Sequence, residues 1–160
     1  MRAAPLLLLA LLLAGCTGPA DLSGAKGNST GGTVGATALQ AIDGCAAQET
    51  HESTAVVSSD AEWKAFWTKY CGASPGPPAV DFSRASVVAA FEGQRNTGGF
   101  TVRLTKATDT GAGVSIEELR TQPDPNCAVA QHITYPFAIA QAPRITKPPT
   151  FQITTTQTPC

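Results

Sequence analysis

The sequence predicts a mainly β fold, α+β in class: an antiparallel sheet or sandwich of about seven short strands with one amphipathic helix over 59–71 packed on it. Three observations carry this. Charged residues are sparse while Gly, Pro, Thr and Ala are plentiful, a composition that suits strands and turns better than helices. Short apolar or alternating runs recur between Gly- and Pro-containing breaks. Only one stretch places large apolar residues at helical spacing.

The chain opens on a leader. Met1 and Arg2 precede an apolar run from Leu6 to Ala14, and Leu13-Ala14-Gly15-Cys16 closes it. A basic start, a short hydrophobic stretch and small residues before a cut site describe a secretory signal, here residues 1–15. The run is too short to span a hydrocarbon core of roughly 30 Å. Its ending is similar to a bacterial lipobox, which implies that Cys16 becomes the mature N-terminus and carries acyl chains such as palmitate. The expected location is therefore the cell envelope, outside the cytoplasm, with the bilayer as a partner through Cys16. Thr17 is not an acidic sorting residue, so in a bacterium with two membranes the outer one is expected.

Residues 16–36 read as a flexible tether. Six of the twenty residues from 17 to 36 are Gly, and only Leu22 and Val34 are large aliphatics. Such a segment cannot bury enough apolar surface to offset its ordering entropy. The folded domain is expected over 37–160, a length that suits one core.

Within it, 37–42 and 53–58 are expected as the first strands. Ser59-Asp60-Ala61-Glu62 then forms a capping-box pattern. Trp63, Phe66, Trp67 and Tyr70 follow at i, i+3, i+4 and i+7 and share one face. Both Trp residues of the chain fall in this stripe. Its expected role is to dock the helix on a sheet, and Gly72 is placed to end the helix. Ser74-Pro75-Gly76-Pro77-Pro78 is a stiff loop. The run from Ser86 to Phe91 is too continuously apolar for an edge and reads as a central strand. Residues 93–99 make a loop, expected to be an exposed hairpin. Phe100, Val102 and Leu104 alternate with Thr101, Arg103 and Thr105 as in a half-buried strand. Thr110-Gly111-Ala112-Gly113 turns the chain, and a strand beginning at Val114 and Ile116 stops at Pro123-Asp124-Pro125. Residues 127–141 are read as one strand region with Pro136 at a start or bulge. Phe151 and Ile153 mark a last strand.

Four cysteines remain beyond Cys16: Cys45, Cys71, Cys127 and Cys160. An even number in an exported chain predicts two disulfides. Cys45–Cys71 and Cys127–Cys160 are preferred, because an outgoing strand over 53–58 and a returning helix of similar length bring Cys71 back toward Cys45. The intervals of 25, 55 and 32 residues contain no CxxC pair, so zinc ligation and a thioredoxin-like redox motif find no support.

Catalytic equipment is sparse. The sequence holds His51, beside Glu49 and Glu52, and His132. Neither belongs to an HExxH or other spaced metal motif. There is no Gly-x-Ser-x-Gly elbow and no glycine-rich loop entering a helix to cradle phosphate. Lys and Arg number 11 against 12 Asp and Glu, for a net charge of −1, which does not favour nucleic acid or an anionic surface as an electrostatic partner. No metal, cofactor or small-molecule ligand is indicated, and the expectation is a protein that is not an enzyme.

The segment Gln94-Arg95-Asn96-Thr97-Gly98-Gly99-Phe100, after Gly93, stands out. Asn and paired Gly tolerate the positive φ of tight loops. A turn, however, does not require Arg95, whose planar fork of donors suits recognition. Residues 94–100 are therefore the candidate partner-binding loop, with Arg95 as its polar anchor. If Arg95 instead pairs within the domain, Asp81 is a candidate mate.

Val80-Asp81-Phe82, a Val-rich strand and Gly93-Gln94-Arg95-Asn96-Thr97-Gly98-Gly99-Phe100, with the later Pro125-Asn126-Cys127-Ala128-Val129 and Thr134-Tyr135-Pro136, resemble the C-terminal domain family of the protease-complex subunit PrcB. The resemblance spans roughly 53–145. It implies a bacterial lipoprotein that binds and stabilises a secreted protease without catalysis of its own. A weaker resemblance links Arg95-Asn96-Thr97-Gly98-Gly99-Phe100 to an inhibitory loop of chagasin-like cysteine-protease inhibitors. The proline of that loop is missing and no second or third inhibitory loop accompanies it. A protease inhibitor and an unrecognised envelope hydrolase are the alternatives to an accessory binding module.

Overall fold

The computed structural model describes residues 34–159. Cys16, the leader, all but the last three residues of the expected tether, and Cys160 lie outside the described residues. The chain runs β1 (Val34–Ala38), β2 (Gln40–Ala41), β3 (Glu52–Val57), α1 (Asp60–Tyr70), β4 (Ala85–Glu92), β5 (Thr101–Asp109), β6 (Val114–Pro123), β7 (Phe137–Pro143) and β8 (Pro149–Thr158). This is the mainly β, α+β class expected, with eight described strands where about seven were predicted. Two four-stranded sheets have the orders β1-β5-β6-β8 and β2-β7-β4-β3. The N-terminal strand starts at Val34, ahead of the expected position 37. It changes sheet at Leu39, whose N–H donates to the Thr105 carbonyl at 3.0 Å, while the Ile42 N–H reaches the Ile139 carbonyl at 2.8 Å.

β4 explains why its sequence is apolar without alternation. All eight of its residues are buried, because the strand lies between two cores. Val87, Ala89 and Phe91 face α1 in one cluster with Trp63, Phe66, Trp67 and Ile139. Val88 and Ala90 face the other sheet, in a second cluster with Val102, Leu104 and Ile116. Alternate side chains of a strand point to opposite faces, so a strand covered on both sides has no polar face.

The aromatic stripe of α1 docks as its spacing predicts. Trp63, Phe66 and Trp67 are buried, and Tyr70 stacks on Phe91 with ring centroids 4.8 Å apart. The indoles of Trp63 and Trp67 donate to the carbonyls of Pro78 and Pro75, each at 2.9 Å, which ties the proline-rich loop to the helix. At the N-terminus Ser59 Oγ accepts the Glu62 N–H at 3.3 Å. Glu62 reaches back one residue further than a strict capping box, to the N–H of Ser58 at 2.9 Å. Cys71 caps the other end and Gly72 follows at φ +94°. Cys45 and Cys71 form the preferred disulfide, Cα atoms 4.7 Å apart. Cys127 is also disulfide-bonded.

Three strand expectations need correction. β8 runs parallel to β6 over ten registered pairs; alternation alone carries no information about direction. The region 127–141 is strand only from Phe137 onward, and Val129, Ile133 and His132 belong to a loop. The chain from β4 to β5 is not a hairpin: β4 pairs with β3 and β7, whereas β5 pairs with β1 and β6.

Candidate functional site

The 93–100 segment carries the chain from one sheet to the other across one end of the sandwich. Gly93 has φ +80°, and a Cβ there would meet Thr50 O at 3.0 Å and Glu52 N at 3.1 Å, so only glycine lets the chain turn this close to the 50–52 backbone. Gln94 N–H donates to Thr50 O at 3.2 Å. Arg95 exchanges two backbone hydrogen bonds with Thr134, at 2.8 and 2.9 Å. Thr134 Oγ1 donates to Thr97 O at 2.8 Å, and Gly98 N–H to Ala130 O at 2.9 Å. Gly99, at φ +91°, lies against Pro123. The loop is thus bonded along its length to the 130–134 segment, which explains why that segment is ordered without being a strand.

The two segments make one surface. Gln94, Asn96 and Gly99 are exposed, Arg95, Thr97 and Phe100 half-buried, and Gly98 buried. Ile133 is 55% exposed, and His132 is exposed beside it. A groove of about 390 Å³ is lined by Thr97, Phe100, Pro123, Pro125, Val129 and Gln157 among others. A larger groove of about 420 Å³ lies elsewhere, where the N-terminal strand changes sheet near Leu39 and Ile42.

Arg95 does not hang free. Its Nη2 donates to Glu92 Oε1 at 2.8 Å, and its guanidinium lies 5.3 Å from the Phe100 ring centroid, a cation–π distance. Asp81, the mate considered from sequence, turns inward on its own loop instead, accepting from the Ser83 amide at 3.0 Å and hydroxyl at 2.6 Å. These two bonds hold the Asp81 carboxyl below its ordinary value.

Behind the loop lies a set of buried charges that sequence reasoning missed. Glu118 is fully buried and Arg120 nearly so. Arg120 Nε donates to Glu118 Oε1 at 2.6 Å, and its Nη2 crosses to Glu52 Oε1 on the facing sheet at 2.8 Å. That hydrogen bond to Arg120 is the main cause holding the Glu52 carboxyl below its ordinary value; Arg95 adds a weaker electrostatic pull. The available signal was parity: Ile116, Glu118 and Arg120 occupy the same face of β6, so an inward apolar position predicts two inward charges of opposite sign.

His51 is on the surface with its Nδ1 3.0 Å from Thr50 Oγ1. Among the described residues no group of three His, Cys, Asp or Glu side chains is placed to hold a metal ion.

Residues 86–143 match the model of a protein family described as PrcB C-terminal. This stretch is PrcB-like. The PrcB-like region takes in β4 from its second residue, the 93–100 crossing, β5, β6, the 124–136 segment and the whole of β7. It is narrower than the resemblance over 53–145: α1 falls outside it. The two segments that form the surface described above both fall inside it. No curated protein and no solved structure matches the chain.

Proposed function

We propose that the chain is an envelope lipoprotein, anchored through acylated Cys16, whose β-rich domain is a non-catalytic protein-binding module and an accessory or stabilising partner of a secreted protease. The observation that carries this reading is the PrcB-like match over 86–143, from a family associated with a protease complex. The surface assigned to the partner is the 94–100 loop together with the 129–134 segment bonded to it. Binding residues commonly sit on loops held by a rigid scaffold, and here the scaffold is two sheets and a crossing pinned at Gln94, Arg95, Thr97 and Gly98 by five hydrogen bonds. Gln94, Asn96, Gln131, His132 and Ile133 are among its outward side chains, while Arg95 holds the loop in shape.

Fractionation tests the anchor. Cys16→Ser should move the protein from the membrane to the soluble fraction, and retention after a high-salt wash would refute lipidation. Co-purification from native membranes tests the role. A stable secreted protease that is lost with Asn96→Asp and Ile133→Asp, in a domain of unchanged melting temperature, supports an accessory module. Loss of protease activity on complex formation would make it an inhibitor, and turnover that disappears with His51→Ala or His132→Ala would make it a hydrolase.

A further inference from the structure

We infer that β8 is a self-association edge through which two copies of this chain pair antiparallel about a two-fold axis at Ile153. The inference goes beyond the protease-partner reading and does not depend on it. β8 is the terminal strand of its sheet and, among the described residues, is bonded to β6 on one side only. It is ten residues long, and nine of the ten are exposed. An open edge of this length is a template for another strand, and proteins usually guard such edges with charge, proline inside the strand or a bulge. β8 carries no charge and no bulge, and its one proline is its first residue, Pro149. From Pro149 to Pro159 there is no Lys, Arg, Asp or Glu, and after Pro149 the strand reads Thr-Phe-Gln-Ile-Thr-Thr-Thr-Gln-Thr. Its ten pairs with β6 run without a register shift.

A second copy of the chain satisfies both charge and parity, and exposed Ile153 sets the register. In a two-fold antiparallel pair each residue faces one of the same strand, so a charged edge would set like charges together, which destabilises pairing. An uncharged edge is compatible with its own copy. Opposed residues must share a sheet face, and a register centred on Ile153 satisfies this. It sets Ile153 against Ile153 of the second copy, Phe151 against Thr155 and Gln152 against Thr154. Ile153 is 47% exposed, one of two exposed large hydrophobics among the described residues. It lies on the face of Phe151, which packs against the inter-sheet core. Pairing would continue that core across the axis. The candidate grooves, which Gln157 helps to line, would then lie on either side of the two-fold axis beside the central strand pair, giving a bivalent particle.

The test is oxidative cross-linking of the full chain in its native membrane, with the unsubstituted chain as control. Ile153→Cys should give a disulfide-linked homodimer. Gln157→Cys, on the same face but roughly 27 Å from its copy at about 3.4 Å per residue, should not. Sedimentation of the purified full chain should show a dimer, and Ile153→Lys should raise its dissociation constant roughly tenfold or more, with the melting temperature unchanged when both chains are compared dilute enough to be monomeric. A monomeric unsubstituted chain, equal cross-linking by the Gln157→Cys variant, or a disulfide from the Ile153→Cys variant to a different protein would each overturn the inference.

Discussion

Arg95 donates to Glu92 Oε1 at 2.8 Å across the point where the chain leaves one sheet for the other. The Glu92 side chain is only 5% exposed. The arginine that the sequence marks as a binding anchor is therefore the counter-charge of a buried carboxylate. From sequence, an exposed Arg95 should matter little to stability; in the structure its removal leaves Glu92 buried without its partner. Arg95→Ala is expected to destabilise the domain by about 1–3 kcal/mol, while Asn96→Ala, on an exposed side chain, stays within about 0.5 kcal/mol. Chemical denaturation of the two variants checks this, and equal midpoints would show that the pair contributes nothing.

The Cys45–Cys71 bridge closes a sequence separation of 26 residues around β3 and α1. Replacing both cysteines by serine should cost on the order of 3 kcal/mol, or roughly 10 °C in melting temperature. Unfolding curves with and without reductant provide a second reading. The unsubstituted chain should lose stability in reductant, and the double variant should lose less.

Trp67 is 1% exposed and donates its indole N–H to Pro75 O. Trp67→Ala should cost about 3–5 kcal/mol and release the proline-rich loop. Lys64→Ala, on the exposed face of α1, should be nearly silent. A Trp67→Ala domain of full stability would show that the aromatic stripe is available for a ligand rather than committed to the core.

Glu49, Glu52, Asp81, Asp109 and Glu117 all lie below their ordinary carboxyl values and share the acid limb of stability. The hydrogen bond from Arg120 holds Glu52 below 4.5, and that from Lys147 holds Asp109 below 3.8. A carboxyl depressed in the folded state stabilises fully above its unfolded pKa and loses that contribution as pH falls through the folded one. Stability should therefore be flat near neutrality and decline as pH drops below 4.5. Glu52→Gln with Asp109→Asn should make the decline shallower; an unchanged acid limb would place its cause in Glu49, Asp81 and Glu117.

The elements that were legible owe it to strong local signals. α1 combines a cap, a four-residue aromatic stripe and a terminal glycine, and β4 is apolar on both faces because both are covered. What stayed hidden depends on chain partners far away in sequence. The parallel pairing of β8 with β6 leaves no mark in either strand. Val129 and Ile133 imitate a strand, yet their segment is held by bonds to Arg95, Thr97 and Gly98. The loop 94–100 was visible as unusual, but the role of Arg95 could be assigned only once Glu92 was known to lie buried beside it.

The end surface formed by 94–100 and 129–134 is the proposed contact for a secreted protease. A photo-cross-linking residue placed at Asn96 in the full-length chain, in living cells, tests it most directly, with the same probe at Lys64 on the exposed helix face as reference. One dominant adduct is expected at position 96, identified by mass spectrometry as a secreted protease, and no such adduct at 64. Equal labelling at both positions, or an adduct at 64 alone, would contradict it.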